Sequence, residues 1–263
     1  MKTAANGIDT YYETHGKEGA PWLVLSHSLA CSVRMWDSQI AAFGDRYRIL
    51  AYDTRGHGGS AAPPGPYSLE MLADDLHGLL GALGISNPHF CGLSMGGMIG
   101  QTFALRYPGV FRTLTLADTT SRYPPEALPL WEERVRLAET QGMAVLAQPT
   151  LDRWFTEPFR RNNVGAVEQV RKLILATPVA GYVGCSRAIP KIDLSARLKE
   201  IRCPILVLVG EDDPGTPVAM AREIHDHAPG SRLVILPRAA HLANIEASAD
   251  FNRALGDFLR SAS

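Results

Sequence analysis

The chain has 263 residues, 46% hydrophobic and 20% charged, with a formal net charge of −1, which suits one large domain or a core domain carrying an insertion and, with no basic run, argues against nucleic acid as a partner. No stretch approaches the roughly 18 uncharged apolar residues of a membrane span, and no apolar run follows Lys2 as a secretory signal requires. Cys31, Cys91, Cys185 and Cys203 lack CxxC pairing and His-rich neighbours, so the expectation is a reduced, cytoplasmic protein with neither a metal site nor a disulfide framework.

In chain order, the early GIDTYYETHG (7–16) alternates enough for an antiparallel edge hairpin with the segment after it. PWLVLS (21–26) is apolar throughout, as is a strand buried on both faces of a parallel sheet. YRILAYD (47–53) has the same character and runs into YDTRGHGGS (52–60). There Gly56, Gly58 and Gly59 permit tight turns, and Asp53 and Arg55 can pair or bind backbone carbonyls, so this segment reads as structural. SLEMLADDLHGLLGALG (68–84) is an amphipathic helix with Ser68 as cap, Glu70, Asp74 and Asp75 towards its positive end, and Gly84 as its stop. Met71, Leu72, Leu76, Leu79, Leu80 and Leu83 share one stripe.

The next strand, HFCG (89–92), enters FCGLSMGGMIG (90–100), where four glycines surround one serine. Residues 92–96 fit G-x-S-x-G, with an apolar strand before and a helix, GGMIGQTFALRYP, after. A direct strand-to-helix turn forces the serine into a strained conformation, and flanking residues must approach one another without Cβ atoms, hence Gly92 and Gly96. Ser94 then stands exposed at a positive helix N-terminus as a candidate nucleophile, while Gly97 and Gly100 let the helix lie close to the sheet. A phosphate loop would need GxxxxGK[ST], which is not the spacing here.

After the strand FRTLTLAD (111–118), no convincing strand appears up to Ile189. The prolines of SRYPPEALP, the amphipathic LWEERVRLAETQGM and the segment LDRWFTEPFRRNNVGAVEQVRKLILAT read as a helical cap, 121–189, inserted into a core of 1–120 and 190–263 before its last two strands. DLSARLKEI (193–201) reads as a helix, CPILVLVG (203–210) and SRLVILP (231–237) as strands, and SADFNRALGDFLRSA (248–262) as a closing helix. Alternating strands and helices imply a mostly parallel α/β sheet flanked by helices.

A serine nucleophile needs a base and an orienting acid, here in the order Ser, Asp, His. His241 in PRAAHLANIE follows the last strand, and Asp213 in VGEDDPG follows the strand before it, where α/β sites gather. Asp212 is the fallback acid and Asp118 a third candidate, at the end of the strand preceding the insertion. His225 and His227 fall on a helix and read as solvated. The developing oxyanion needs backbone donors: Met95, directly after the serine, and Leu29, in the HSLA loop after PWLVLS.

Through HSLA, YDTRGHGGS, CGLSMGG, VGEDD and AAHLANIE the chain resembles the α/β-hydrolase superfamily over essentially its whole length. Within it, SHSLACSVRMW, with Ser28 where most relatives carry Gly, and the fragments LW..R (130–134) and RWFT (153–156) resemble the 3-oxoadipate enol-lactonases. His27, where those enzymes often carry Asn, and the strand end LADTT depart from their pattern. The resemblance implies hydrolysis of a small carboxylate-bearing lactone or ester without cofactor, metal or membrane partner. It implies Arg134, with Arg153 second, for the substrate carboxylate, and Trp131 and Trp154 as pocket walls. A carboxylesterase, a γ-lactamase, a carbon–carbon bond hydrolase and a noncatalytic ligand receptor stay open as alternatives, as do monomer and homo-oligomer.

Overall fold

The computed structural model describes residues 1–261. Strands β1 (Lys2–Ala5) and β2 (Ile8–Gly16) come first, then β3 (Trp22–Ser26), helix α1 (Asp37–Phe43), β4 (Arg48–Tyr52), α2 (Leu69–Ala82), β5 (His89–Leu93), α3 (Met95–Arg106) and β6 (Thr113–Ala117). Five helices intervene before the sheet resumes: α4 (Leu128–Gln141), α5 (Ala144–Trp154), α6 (Glu157–Asn162), α7 (Val164–Ala176) and α8 (Val179–Ala188). β7 (Ile205–Gly210), α9 (Val218–His227), β8 (Arg232–Leu236), α10 (Ala243–Glu246) and α11 (Ser248–Ser261) complete the described chain. The expected closing helix ran to Ala262, which lies outside the described residues.

The eight strands form one sheet in the order β1-β2-β4-β3-β5-β6-β7-β8. β1–β2 and β2–β4 are antiparallel and every other pairing is parallel. Chain order reverses direction across the sheet between β3 and β5, which opens a crevice beyond their C-terminal ends. The central strands are buried along nearly their whole length, which is why they read as unbroken apolar runs. α2 starts where Ser68 Oγ accepts the Met71 N–H, and it buries Leu72, Leu76, Leu79 and Leu80.

Three expectations change. The edge hairpin pairs β2 with Lys2–Ala5 ahead of it, and its other side joins β4 rather than the next strand in sequence. Asn6 and Gly7, at φ 46° and 76°, make the two-residue turn that requires left-handed conformers at both central positions. Residues 193–201 contain a 3₁₀ helix, Ser195–Glu200, rather than an α-helix. Tertiary bonds override its periodicity: Leu194 N–H donates to Ser121 O at 2.8 Å, and Ser195 Oγ donates to Glu223. Finally, of the two roles expected for Asp53 and Arg55, pairing with each other does not occur, whereas Arg55 does bind a backbone carbonyl, its Nη2 donating to Asn6 O at 3.1 Å. Arg55 forms a two-pronged buried ion pair with Asp75 on α2 at 2.7 and 2.6 Å, while Asp53 accepts the N–H groups of Val33 and Gly59, both at 2.7 Å.

Candidate active site

Ser94 sits between β5 and α3 at φ 55°, ψ −115°, a conformation few non-glycine residues adopt and one that costs about 1–3 kcal/mol. Surrounding bonds hold it there. Its N–H donates to Ala117 O at 2.9 Å, and its carbonyl accepts from Thr119 Oγ1 at 2.7 Å and from Met98 N–H at 3.1 Å. The glycines are sterically obligatory: a Cβ on Gly92 would lie 2.2 Å from Gly96 O, and one on Gly96 would lie 2.0 Å from Ser26 O. Gly100 brings α3 so close to the sheet that its Cβ would meet the Phe90 ring at 2.5 Å.

The loops after β7 and β8 converge. His241 Nδ1 lies 2.8 Å from Asp213 Oδ2, with both side chains buried. Asp213 is itself fixed by an Asx-type turn, because its Oδ1 accepts the N–H of Gly215 at 2.7 Å and of Thr216 at 3.1 Å. Thr216 Oγ1 donates to Oδ2 at 2.7 Å. Burial pushes the Asp213 carboxyl up, but His241 beside it and the hydrogen bonds from His241 and Thr216 outweigh that and hold it below the usual carboxylate range. An ionised acid with these donors keeps the histidine proton on Nδ1 and leaves Nε2 as a base.

The other two acids are arranged differently. Asp212 is exposed, and its N–H donates to Ala239 O. Asp118 is fully buried; its Oδ1 accepts Gly210 N–H at 2.8 Å, and the Ala243 N–H at the start of α10 also acts on the carboxylate. Burial, and then the charge of Asp213, raises its pKa well above the usual value.

Across the crevice, the loop after β3 carries Leu29, whose N–H donates to no group among the described residues. Met95, as the first residue of α3, has an N–H with no carbonyl one turn back to receive it. Two histidines hold the Leu29 loop. His57 Nε2 accepts Ala30 N–H at 3.0 Å, and His27 Nε2 accepts Thr54 N–H at 2.9 Å while its Nδ1 donates to Ser28 O at 2.7 Å. Burial keeps both rings neutral, with pKa values lowered to about 4 for His27 and about 3 for His57. Sequence reading treats YDTRGHGGS as structural and misses that its histidine reaches the loop after β3. The contact joins residues 27 apart through a backbone N–H, which leaves no side-chain pattern to find.

Ser94, His241, Leu29 and Ser28 line one side of a cavity of about 310 Å³. Trp131 and Arg134 of α4 and Arg153 and Trp154 of α5 line the other side, together with Tyr123 and Tyr182. Trp154 stacks on His241 with ring centroids 6.0 Å apart, and the Arg134 guanidinium lies 4.8 Å from the centre of the Trp131 ring. Among the described residues neither Arg134 nor Arg153 pairs with a carboxylate, and Arg134 Nε is buried without a partner. Burial, and then the charge of Arg134, lowers the Arg153 pKa. Two uncompensated cations facing an otherwise largely apolar cavity make it receptive to an anion. His225 and His227 lie on α9, away from the cavity-lining set.

A family model described as the alpha/beta hydrolase fold matches residues 21–248. The 3-oxoadipate enol-lactonase 2 of Acinetobacter baylyi is 36% identical over 251 residues, covering 95% of this chain and 93% of that protein. Among solved structures, the enol-lactonase from Burkholderia xenovorans LB400 superposes with a TM-score of 0.95 at 38% identity, covering 99% of this chain and 100% of that one. A thermophilic esterase from Thermogutta terrifontis with malate bound superposes at 0.91 with 31% identity, covering 99% and 97%.

Proposed function

The chain belongs to the alpha/beta-hydrolase family as a hydrolase acting on ester or lactone bonds, and from that premise we propose that it opens 3-oxoadipate enol-lactone to 3-oxoadipate through an acyl-enzyme on Ser94. The observation that carries the reading is the 2.8 Å contact of His241 with Asp213, with Ser94 and His241 lining one cavity. In this mechanism His241 Nε2 takes the Ser94 proton as Oγ attacks the lactone carbonyl. The N–H groups of Leu29 and Met95 stabilise the tetrahedral oxyanion. The ring C–O bond then breaks and expels an enolate, a better leaving group than an alkoxide, which takes up the proton and becomes the ketone. Water, deprotonated by the same imidazole, releases the acid and restores Ser94. Helices α4–α8 serve as the cap over this chemistry.

Two features support a carboxylate-bearing substrate. Arg134 and Arg153 line the cavity without a carboxylate partner among the described residues, and the enol-lactonase relatives are named for a lactone that carries one. Trp131 and Trp154 would enclose the flat ring. The test compares kcat/KM for 3-oxoadipate enol-lactone with that for p-nitrophenyl acetate. Arg134→Ala is expected to cost the lactone on the order of 10–100-fold, the worth of one charge-assisted hydrogen bond, and the neutral ester less than about threefold. Equal losses on both substrates, or a wild-type preference for the neutral ester, would favour a general carboxylesterase.

A further inference from the structure

His241 lies on the short connection between β8 and α10, and the N–H groups of the residues on either side of it donate to groups outside the sheet. On one side, Ala240 N–H donates to Glu246 Oε2 at 2.9 Å. On the other, Leu242 N–H donates to the carbonyl of Trp154, the last residue of α5, at 3.1 Å. The Glu246 carboxylate reaches the same corner of the insertion. Its Oε1 accepts the N–H of Thr156 at 3.1 Å and also the Thr156 hydroxyl. Thr156 in turn caps α6. The α5–α6 corner and the histidine loop therefore close into a ring through Ala240, Glu246, Thr156, Trp154 and Leu242. Inside it the Trp154 indole stacks on the His241 imidazole.

We propose that Glu246 is a positioning residue, whose carboxylate clamps the α5–α6 corner to the His241 loop so that one contact sets both the imidazole and the helices facing it. The inference rests on the reading of Ser94 as nucleophile and His241 as base. The chemistry calls for a carboxylate. Three donors from two separate chain segments converge on the group, and an ionised acid offers acceptors on both oxygens. A glutamine has one acceptor oxygen, and its NH₂ would face a donor. Glu246 touches no cavity-lining surface of its own, so it acts only through the residues it holds.

The test measures kcat and KM for Glu246→Gln and Thr156→Val on 3-oxoadipate enol-lactone and on p-nitrophenyl acetate, alongside thermal melting. The neutral ester makes no use of the arginines and reports on the imidazole alone. Glu246→Gln is expected to lower kcat on both substrates on the order of tenfold, because misplacement of a catalytic group is costly, while raising KM for the lactone only. Thr156→Val keeps its N–H and is expected to lose about threefold in kcat, and the double variant to be no worse than Glu246→Gln within about twofold, since both cut one shared clamp. A lower melting temperature with unchanged kcat would mark a merely structural residue and overturn the proposal, as would fully multiplicative losses. Should Glu246→Gln fail to fold, an unchanged kcat in Thr156→Val overturns it alone. Wild-type turnover of the ester but not of the lactone would sink the substrate reading and still leave the clamp testable on the ester.

Discussion

On the sheet side of the cavity, Ser94 and Leu29 are held by backbone sterics and by neutral histidines whose ring nitrogens are committed to main-chain groups. On the insertion side, α4 and α5 present two indoles and two arginines without carboxylate partners among the described residues. The first region is fixed before any ligand arrives. The second holds unspent charge that an incoming anion can satisfy. Bond-breaking chemistry needs preorganised donors that do not reorganise during the reaction. Selectivity needs groups whose pairing depends on the ligand. On the proposed mechanism the two sides divide the work on these lines, and the division can be tested.

The largest effect is expected where the sheet side holds its ionised acid. Asp213→Asn should leave folding intact and lower kcat by about 10³–10⁴-fold, because an amide in that place favours the wrong histidine tautomer. A loss below about tenfold would mean that another group orients His241. The sheet side should also carry the pH sensitivity. In the unfolded chain His27 and His57 take up protons near pH 6.5, whereas in the fold they resist protonation down to about 4 and about 3. The contribution of these rings to stability is therefore flat above pH 6.5 and falls as pH drops below it, by about 2 kcal/mol for each ring at pH 5. Urea unfolding at pH 8 and pH 5 measures this; buried His89 on β5, its pKa also lowered to about 4, adds a third such contribution, so His57→Gln should shrink the histidine part of the difference by roughly a third. A pH 8-to-pH 5 difference unchanged by His57→Gln would show that this ring is not buried neutral. The smallest effect is expected at Asp118. Burial beside Asp213 pushes its carboxyl pKa up, and its Oδ1 accepts the Gly210 N–H at 2.8 Å, a bond that an amide oxygen can also accept, so Asp118→Asn should keep kcat within about threefold. A collapse of turnover there would move the orienting role to β6.

Legibility in the sequence divides along the same lines. The strand–Ser94–helix turn is legible because close backbone approach excludes every residue but glycine at 92 and 96, and local sterics write themselves into adjacent positions. The strands are legible because burial on both faces removes alternation. The partner of the first hairpin goes unread although Asn6–Gly7 is in view, since the pairing of an edge strand depends on what lies across the sheet. Asp75 as the partner of Arg55, and Ala30 as that of His57, are hidden because such bonds join segments 20 and 27 residues apart and leave no periodic trace. The residues of α4 and α5 come into view by family resemblance alone, because an amphipathic helix facing a cavity carries the same pattern as one facing a core.

The most direct test of the central claim is covalent labelling with a small fluorophosphonate, followed by intact mass and peptide mapping. A nucleophilic Ser94 activated by His241 predicts one adduct per chain, on Ser94, abolished in Ser94→Ala and slowed by at least about 10³-fold in His241→Ala. An adduct on any other residue, or labelling of Ser94→Ala at the wild-type rate, would contradict it.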